Sequence, residues 1–114
     1  MRKVLIVMEQ DGLRDLLLSD LQKDCEVMVC SDAVDGAELL RYQPDVLILD
    51  LFLPGVNGLT LLRENRAQLP RVIIALSILL SPKILRELKD LGVTSVVRKP
   101  CTVAAITHGT KLHT

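Results

Sequence analysis

The chain reads as an α/β domain, a parallel sheet of five strands with helices on both faces, and three observations predict it. Short apolar runs, most of them rich in Val and Ile, alternate with stretches of helical period along the whole length. Hydrophobic residues make up 49% of the chain and aromatic residues only 2%, so the core is built from Leu, Val, Ile and Ala, which suits a sheet covered by helices on both sides. At 114 residues the chain is long enough for one core that buries roughly two thirds of the surface its unfolded form exposes. No repeat, low-complexity segment or linker marks a second domain, and residues 1–114 are taken as one unit.

The elements follow in order. Val4 to Met8 is the first strand candidate, and Leu13, Leu16, Leu17 and Leu21 then form the apolar stripe of a first helix. Glu26 to Cys30 is the second strand, followed by a helix whose apolar positions are Ala33, Ala37 and Leu40. Val46 to Leu49 is four apolar residues in a row, the pattern of a strand buried on both faces, and Asp50 closes it. Asp11-Gly12 and Asn57-Gly58 have the composition of hairpin turns, but each is followed by residues of helical rather than alternating period. Val72 to Leu76 is the fourth strand. Ser81-Pro82 then places a capping hydroxyl before a proline at the first helical position, Ile84, Leu85, Leu88 and Leu91 form the stripe, and Gly92 supplies the stop. Ser95 to Val97 is the fifth strand. The stretch from Thr102 to Leu112 is the weakest helix, because Gly109 alone costs about 1 kcal/mol relative to alanine in a helix interior; a short or frayed helix is expected. Strand and helix alternating in this way imply right-handed crossovers between parallel strands.

Composition excludes several functions. Fourteen basic and fourteen acidic residues cancel, with no basic cluster, so direct nucleic-acid binding is not expected. The three cysteines are odd in number, and Cys25 and Cys30 lie five apart in one strand with side chains on opposite faces, which forbids a bridge between them. A reducing cytoplasm is the expected compartment. Met1-Arg2-Lys3 is basic, but the apolar stretch after it ends by Glu9 and lacks a cleavage pattern, so neither an export signal nor a membrane span is expected. Cys101 is read as a buried small hydrophobe with no perturbing neighbour.

Four polar residues fall at strand ends: Glu9 past the first, Asp50 at the third, Ser77 at the fourth and Lys99 after the fifth. In a parallel sheet those ends share one edge, where open α/β sheets place their chemistry. Each also has an ordinary reading. Asp50 suits a turn, Lys99 a solvated loop, Ser77 a hydroxyl bonded to its own backbone, and Glu9 a helix N-terminal acid favoured by the dipole.

Val4-Leu5-Ile6-Val7, then Asp50 with Pro54 and Gly58 at fixed offsets, then Ala75-Leu76-Ser77 and Lys99-Pro100, resemble the receiver domain of two-component response regulators over essentially the whole chain. That resemblance implies a flavodoxin-like fold with strand order 2-1-3-4-5 and a phosphoacceptor at Asp50, supplied by a sensor histidine kinase or a phosphotransfer protein. It implies a signalling module rather than an enzyme, with an output domain or a homodimer as further partners, and a chain that is a fragment of a longer regulator. Mg²⁺ is the implied cofactor, held by Glu9, Asp50 and the carbonyl of Phe52; it spreads the charge of a phosphoryl group that a carboxylate would otherwise repel. Lys99 would pair with a phosphoryl oxygen and, before transfer, with Asp50. Ser77 would donate to another phosphoryl oxygen and draw the loop after the fourth strand inward.

The chain departs from that family in four places. Met8-Glu9 stands where two adjacent acids are usual. Two unit charges ~4 Å apart interact by about 4 kcal/mol at an effective dielectric near 20, so the loss of one, farther off, weakens Mg²⁺ by roughly tenfold to a hundredfold. Val96 replaces the family's aromatic switch residue and cannot swing a ring between buried and exposed positions. Phe52 and Leu79 flank the pocket where polar residues orient an attacking water, so a long-lived phosphorylated form is expected. Ile78-Leu79-Leu80 is an apolar run where the loop is normally small and polar, and reads as an interaction surface. Met8 and Val96 carry the alternative reading, a degenerate receiver that binds partners without phosphorylation. A flavin-binding domain is disfavoured, since Glu9-Gln10-Asp11-Gly12 is no glycine-rich phosphate loop and aromatics are nearly absent.

Overall fold

In the computed structural model, which describes residues 1–108 and 112, five strands alternate with five helices. The strands are β1 (Arg2–Val7), β2 (Cys25–Cys30), β3 (Val46–Asp50), β4 (Val72–Ser77) and β5 (Ser95–Arg98). The helices are α1 (Gly12–Leu21), α2 (Ala33–Leu39), α3 (Gly58–Glu64), α4 (Pro82–Asp90) and α5 (Val103–Thr107). All pairings are parallel, and the sheet order is β2-β1-β3-β4-β5, the flavodoxin-like topology.

The period-two alternation of the strands divides the core in two. Val4, Ile6, Val46, Ile48, Ile74 and Leu76 face α1 and α5, where they meet Leu17, Leu21 and Ile106. Leu5, Val7, Leu47, Leu49, Ile73 and Ala75 face α2, α3 and α4, meeting Ala33, Leu61, Leu62 and Leu88. Both faces of the central strands are therefore dry, which is why β3 tolerates no polar residue before its last position. Cys25 lies in the first of these clusters and Cys30 in the second, on opposite faces of the sheet, and all three cysteines are free.

Polar caps set the helix starts. Asp11, Asp32, Asn57, Ser81 and Thr102 each accept a hydrogen bond from the backbone N–H three residues on. Asp11-Gly12 and Asn57-Gly58 are thus helix entries, not hairpins. Gly92, at φ +86°, ends α4 in the left-handed region. Arg63 of α3 and Glu87 of α4 tie those helices together with a two-pronged ion pair.

Two of the expected apolar stripes are narrower than the sequence suggests. Leu16 is 64% exposed, because Leu13, Leu17 and Leu21 already fill the face of α1 at four-residue spacing and Leu16 falls beside it. Leu85 is likewise 43% exposed next to Ile84 and Leu88. Helix α5 spans five residues, shorter than the stretch from Thr102 to Leu112 read as helical; Gly109 and Thr110 lie outside the described residues.

Candidate functional site

The sheet ladder continues past the strand ends and carries the site with it. The Leu51 N–H donates to the Leu76 carbonyl at 2.8 Å, and the Lys99 N–H donates to the Ser77 carbonyl at 2.9 Å. Asp50 is thereby held beside Leu76, and Lys99 beside Ser77, at one edge. Behind Asp50 the start of α3 comes unusually close. A Cβ on Gly58 would stand 2.8 Å from the Asp50 carbonyl oxygen and 2.9 Å from the Leu51 Cα, so only glycine lets this helix sit against the end of β3. The Gly58 N–H donates to the Leu51 carbonyl at 3.0 Å and locks that approach.

The Asp50 side chain is only 6% exposed, and both of its oxygens are engaged. Oδ1 accepts the Phe52 N–H at 2.9 Å, and Oδ2 accepts from Lys99 Nζ at 2.7 Å. Burial presses the Lys99 ammonium toward neutrality, yet the hydrogen bond and charge of Asp50, with a smaller pull from Asp11, outweigh it and raise its pKa above the ordinary lysine value. The ammonium is thus held charged against the buried carboxylate, which sets a carboxylate oxygen in contact with a cation.

Ser77 is buried, but its hydroxyl is turned into its own loop, donating to the Leu79 carbonyl at 2.6 Å and accepting the Leu79 N–H at 3.2 Å. Glu9 is exposed and forms no hydrogen bond or ion pair among the described residues. Met8 is fully buried in the cluster facing α1 and α5, and only its backbone reaches the edge, where the Arg14 guanidinium donates to its carbonyl at 3.1 Å and to Ser31 Oγ at 3.0 Å. Arg14 carries no motif signal, because its partners lie on loops that meet only in the fold. Cys101 corrects its expectation. It is half-buried, and its thiol pKa is raised by burial, opposed by the charge of Lys99 and reinforced by that of Asp50, so the site does reach it.

The residues expected to hold a divalent cation are two carboxylates, Glu9 and Asp50, and the Phe52 carbonyl, and no group of three or more His, Cys, Asp or Glu that could hold a metal stands among the described residues. Mg²⁺ commonly takes one or two carboxylates and completes its octahedron with water and phosphate oxygens, so the residues fit a thin site that a phosphoryl group would finish. Around it stand apolar side chains, with Phe52 48%, Ile78 56% and Leu79 64% exposed.

The chain is similar to known proteins over most of its length. The chain is 34% identical over 100 residues to protein-glutamate methylesterase/protein-glutamine glutaminase 2 of Nitratidesulfovibrio vulgaris, covering 84% of this chain and 27% of that protein. It thus spans less than a third of the length of that relative. Chemotaxis protein CheY4 of Vibrio cholerae superposes with a TM-score of 0.85 at 25% identity, covering 97% of each chain. The non-phosphorylated HemR receiver domain of Leptospira biflexa shares the fold, with a TM-score of 0.88 at 21% identity, over 97% of this chain and 92% of that one. Residues 4–111 match the response regulator receiver domain, and the chain belongs to that family.

Proposed function

We propose that Asp50 is the phosphoacceptor of this receiver and that a phosphohistidine on a sensor kinase or phosphotransfer protein is its donor. The observation that carries the reading is the Asp50 carboxylate, nearly inaccessible to water, set at the carboxyl end of β3 between one N–H and one ammonium. In the transfer an Asp50 oxygen forms a bond to phosphorus as the N–P bond of the donor breaks, and the imidazole nitrogen takes up a proton. The Phe52 N–H holds Oδ1 and so fixes the plane of the carboxylate. Lys99 then exchanges Asp50 for a phosphoryl oxygen, a short move for a flexible chain with a point charge at its tip. Ser77 releases Leu79 to donate to a second phosphoryl oxygen.

Asp50, Glu9 and the Phe52 carbonyl would hold Mg²⁺, which would supply charge neutralisation for the phosphoryl group. We place the chain in the cytoplasm, a reading supported by three unbridged thiols; no helix among the described residues is long and apolar enough to cross a membrane. The esterase and glutaminase activities in the relatives' names belong to those longer proteins, and a receiver is a signalling module.

The test is incubation with a small phosphodonor and Mg²⁺, followed by mass spectrometry. One phosphate should appear on the wild-type chain and none on Asp50→Asn. An unmodified wild-type chain would sink the reading in favour of a module that binds partners without phosphorylation.

A further inference from the structure

The two loops that leave the sheet beside Asp50 carry no charge. Residues 51–57 read Leu-Phe-Leu-Pro-Gly-Val-Asn and residues 78–81 read Ile-Leu-Leu-Ser, in a chain of which 25% is charged. Register makes these loops neighbours. Asp50 lies beside Leu76 in the ladder and the Leu51 N–H extends it by one step, so Phe52 and Ile78 depart from adjacent strand ends.

Both loops turn apolar side chains to solvent. Leu51 and Leu53 are buried, whereas Phe52, Ile78 and Leu79 are exposed, Leu79 the most open of the three. Leu79 is also fixed. Two hydrogen bonds to the Ser77 hydroxyl hold its backbone, so its side chain stands on a pinned turn. Exposed apolar side chains grouped beside a functional residue mark a contact surface. The loop after β1, on the other side of β3, differs in kind, for Glu9 and Asp11 are exposed there.

Whatever delivers phosphorus to Asp50 meets this collar, because the carboxylate is nearly inaccessible and lies at the foot of both loops. A protein donor, unlike a small molecule, brings the surroundings of its histidine with it. We propose that Phe52, Ile78 and Leu79 select the donor, favouring a phosphohistidine flanked by apolar side chains over one flanked by polar side chains. The proposal rests on Asp50 as the phosphoacceptor and adds the class of donor. A polar flank would lose its water against three side chains that offer it no hydrogen bond, whereas an apolar flank buries surface on both partners. In the transfer the Asp50 O–P bond forms as the histidine N–P bond breaks, and the imidazole leaves with a proton from solvent.

The experiment compares phosphate uptake, followed by mass spectrometry with Mg²⁺ present, from phosphoramidate and from two blocked pentapeptides phosphorylated on histidine, Leu-Ala-His-Ala-Leu and Gln-Ala-His-Ala-Gln. The wild type should use the leucine peptide roughly tenfold faster than the glutamine peptide, the low end of discrimination by an apolar contact. That preference should vanish in Ile78→Ser/Leu79→Ser and persist in Ile78→Leu/Leu79→Ile. Taking the ratio of the two peptides within one protein cancels any change in the chemistry or in the amount folded. The proposal is overturned if the wild type uses both peptides equally, if the double serine variant keeps the preference, or if the wild type is a dimer that this variant dissociates, which would give the collar to a second copy of the chain. A wild type left unmodified by phosphoramidate as well as by the peptides loses the phosphoacceptor reading and this proposal together; one that takes phosphate from phosphoramidate but does not distinguish the peptides loses donor selection alone.

Discussion

The hydroxyl of Ser77 is held from both sides by the backbone of Leu79, donating to its carbonyl at 2.6 Å and accepting its N–H at 3.2 Å. One hydroxyl proton cannot serve that carbonyl and a phosphoryl oxygen at once. On the proposed function, phosphorylation at Asp50 would therefore release the Ile78-Leu79-Leu80 loop, and with it the start of α4 at Pro82. Such a switch would need no aromatic ring at Val96. We expect the amide resonances of residues 78–81 to move on phosphorylation of the wild type and to stay largely fixed in Ser77→Ala. That variant should also lose about 1 kcal/mol of stability with its buried hydroxyl. Equal shifts in both proteins would place the switch elsewhere.

Gly58→Ala should injure the site from behind. Its Cβ would press on the backbone of Asp50 and Leu51 rather than on a flexible side-chain tip, so α3 or the end of β3 must shift. A loss of about 1–3 kcal/mol follows from overpacking of this kind. Phosphorylation should slow as well, because the carboxylate moves with its backbone. Urea unfolding and the rate of phosphate uptake measure the two effects. A stable variant with unchanged uptake would show that the close approach is dispensable.

Alkaline pH should destabilise the fold, and two of the contributions can be separated by mutation. The Lys99 pKa is raised in the folded state by Asp50 despite burial, so its contribution is fully present below the ordinary lysine value and is lost as pH rises through the higher folded value. Cys30 acts earlier. Burial lifts its thiol from 9.0 to about 11, so between those values the unfolded chain sheds a proton that the folded chain keeps, and stability falls as pH rises. Stability measured from pH 8 to 12 should decline more gently through pH 9–11 in Cys30→Ala than in wild type. The further loss above about pH 10.4, the ordinary lysine value, should be blunted in Lys99→Met. Parallel curves for all three proteins would contradict both assignments.

Much of this architecture was legible because its causes are local. Four apolar residues before Asp50 announce a doubly buried strand, and Ser81-Pro82 and Gly92 announce the limits of α4, through backbone rules that need no tertiary context. The convergence of Asp50, Ser77 and Lys99 on one edge follows from parallel topology alone. What stayed hidden depends on distances between separate segments. Nothing in the spacing says that Ser77 spends its hydroxyl on Leu79, that Arg14 bridges Met8 and Ser31, or that Cys101 feels Lys99 and Asp50. Leu16 and Leu85 stand outside the buried stripes that their spacing predicts, because a leucine one position off a filled stripe has the same composition signal as one on it.

The apolar collar predicts a slow return to the unphosphorylated state. Phe52 and Leu79 are both substantially exposed on the loops that follow Asp50 and Ser77, and neither can position or activate a water. Replacing Phe52 with Asn and Leu79 with Gln should shorten the lifetime of the phosphorylated form on the order of tenfold to a hundredfold, at or below the low end of what a positioned proton acceptor contributes. Decay of the phosphorylated mass after removal of the donor reads this directly. A wild-type form that decays as fast as the variant would mean that water reaches the phosphoryl group regardless of the collar.

Met8 offers the sharpest test of the metal, because restoring the missing acid sets two forces against each other. Met8 is fully buried among apolar neighbours that include residues of α1 and α5, so Met8→Asp removes that packing and introduces a carboxylate at the margin of a dry core. Without metal the variant should be less stable than wild type by about 2–5 kcal/mol, the range for losing a large buried side chain. With Mg²⁺ the added charge joins Glu9 and Asp50, and affinity should rise roughly tenfold to a hundredfold by the Coulomb estimate for one more nearby carboxylate. Ligand binding to the folded state alone raises stability, so millimolar Mg²⁺ should shift the urea midpoint of the variant by more than that of wild type. If Mg²⁺ shifts both midpoints equally, the position beside Glu9 does not face the cation, and Arg14, which caps its carbonyl, is the group to examine in its place.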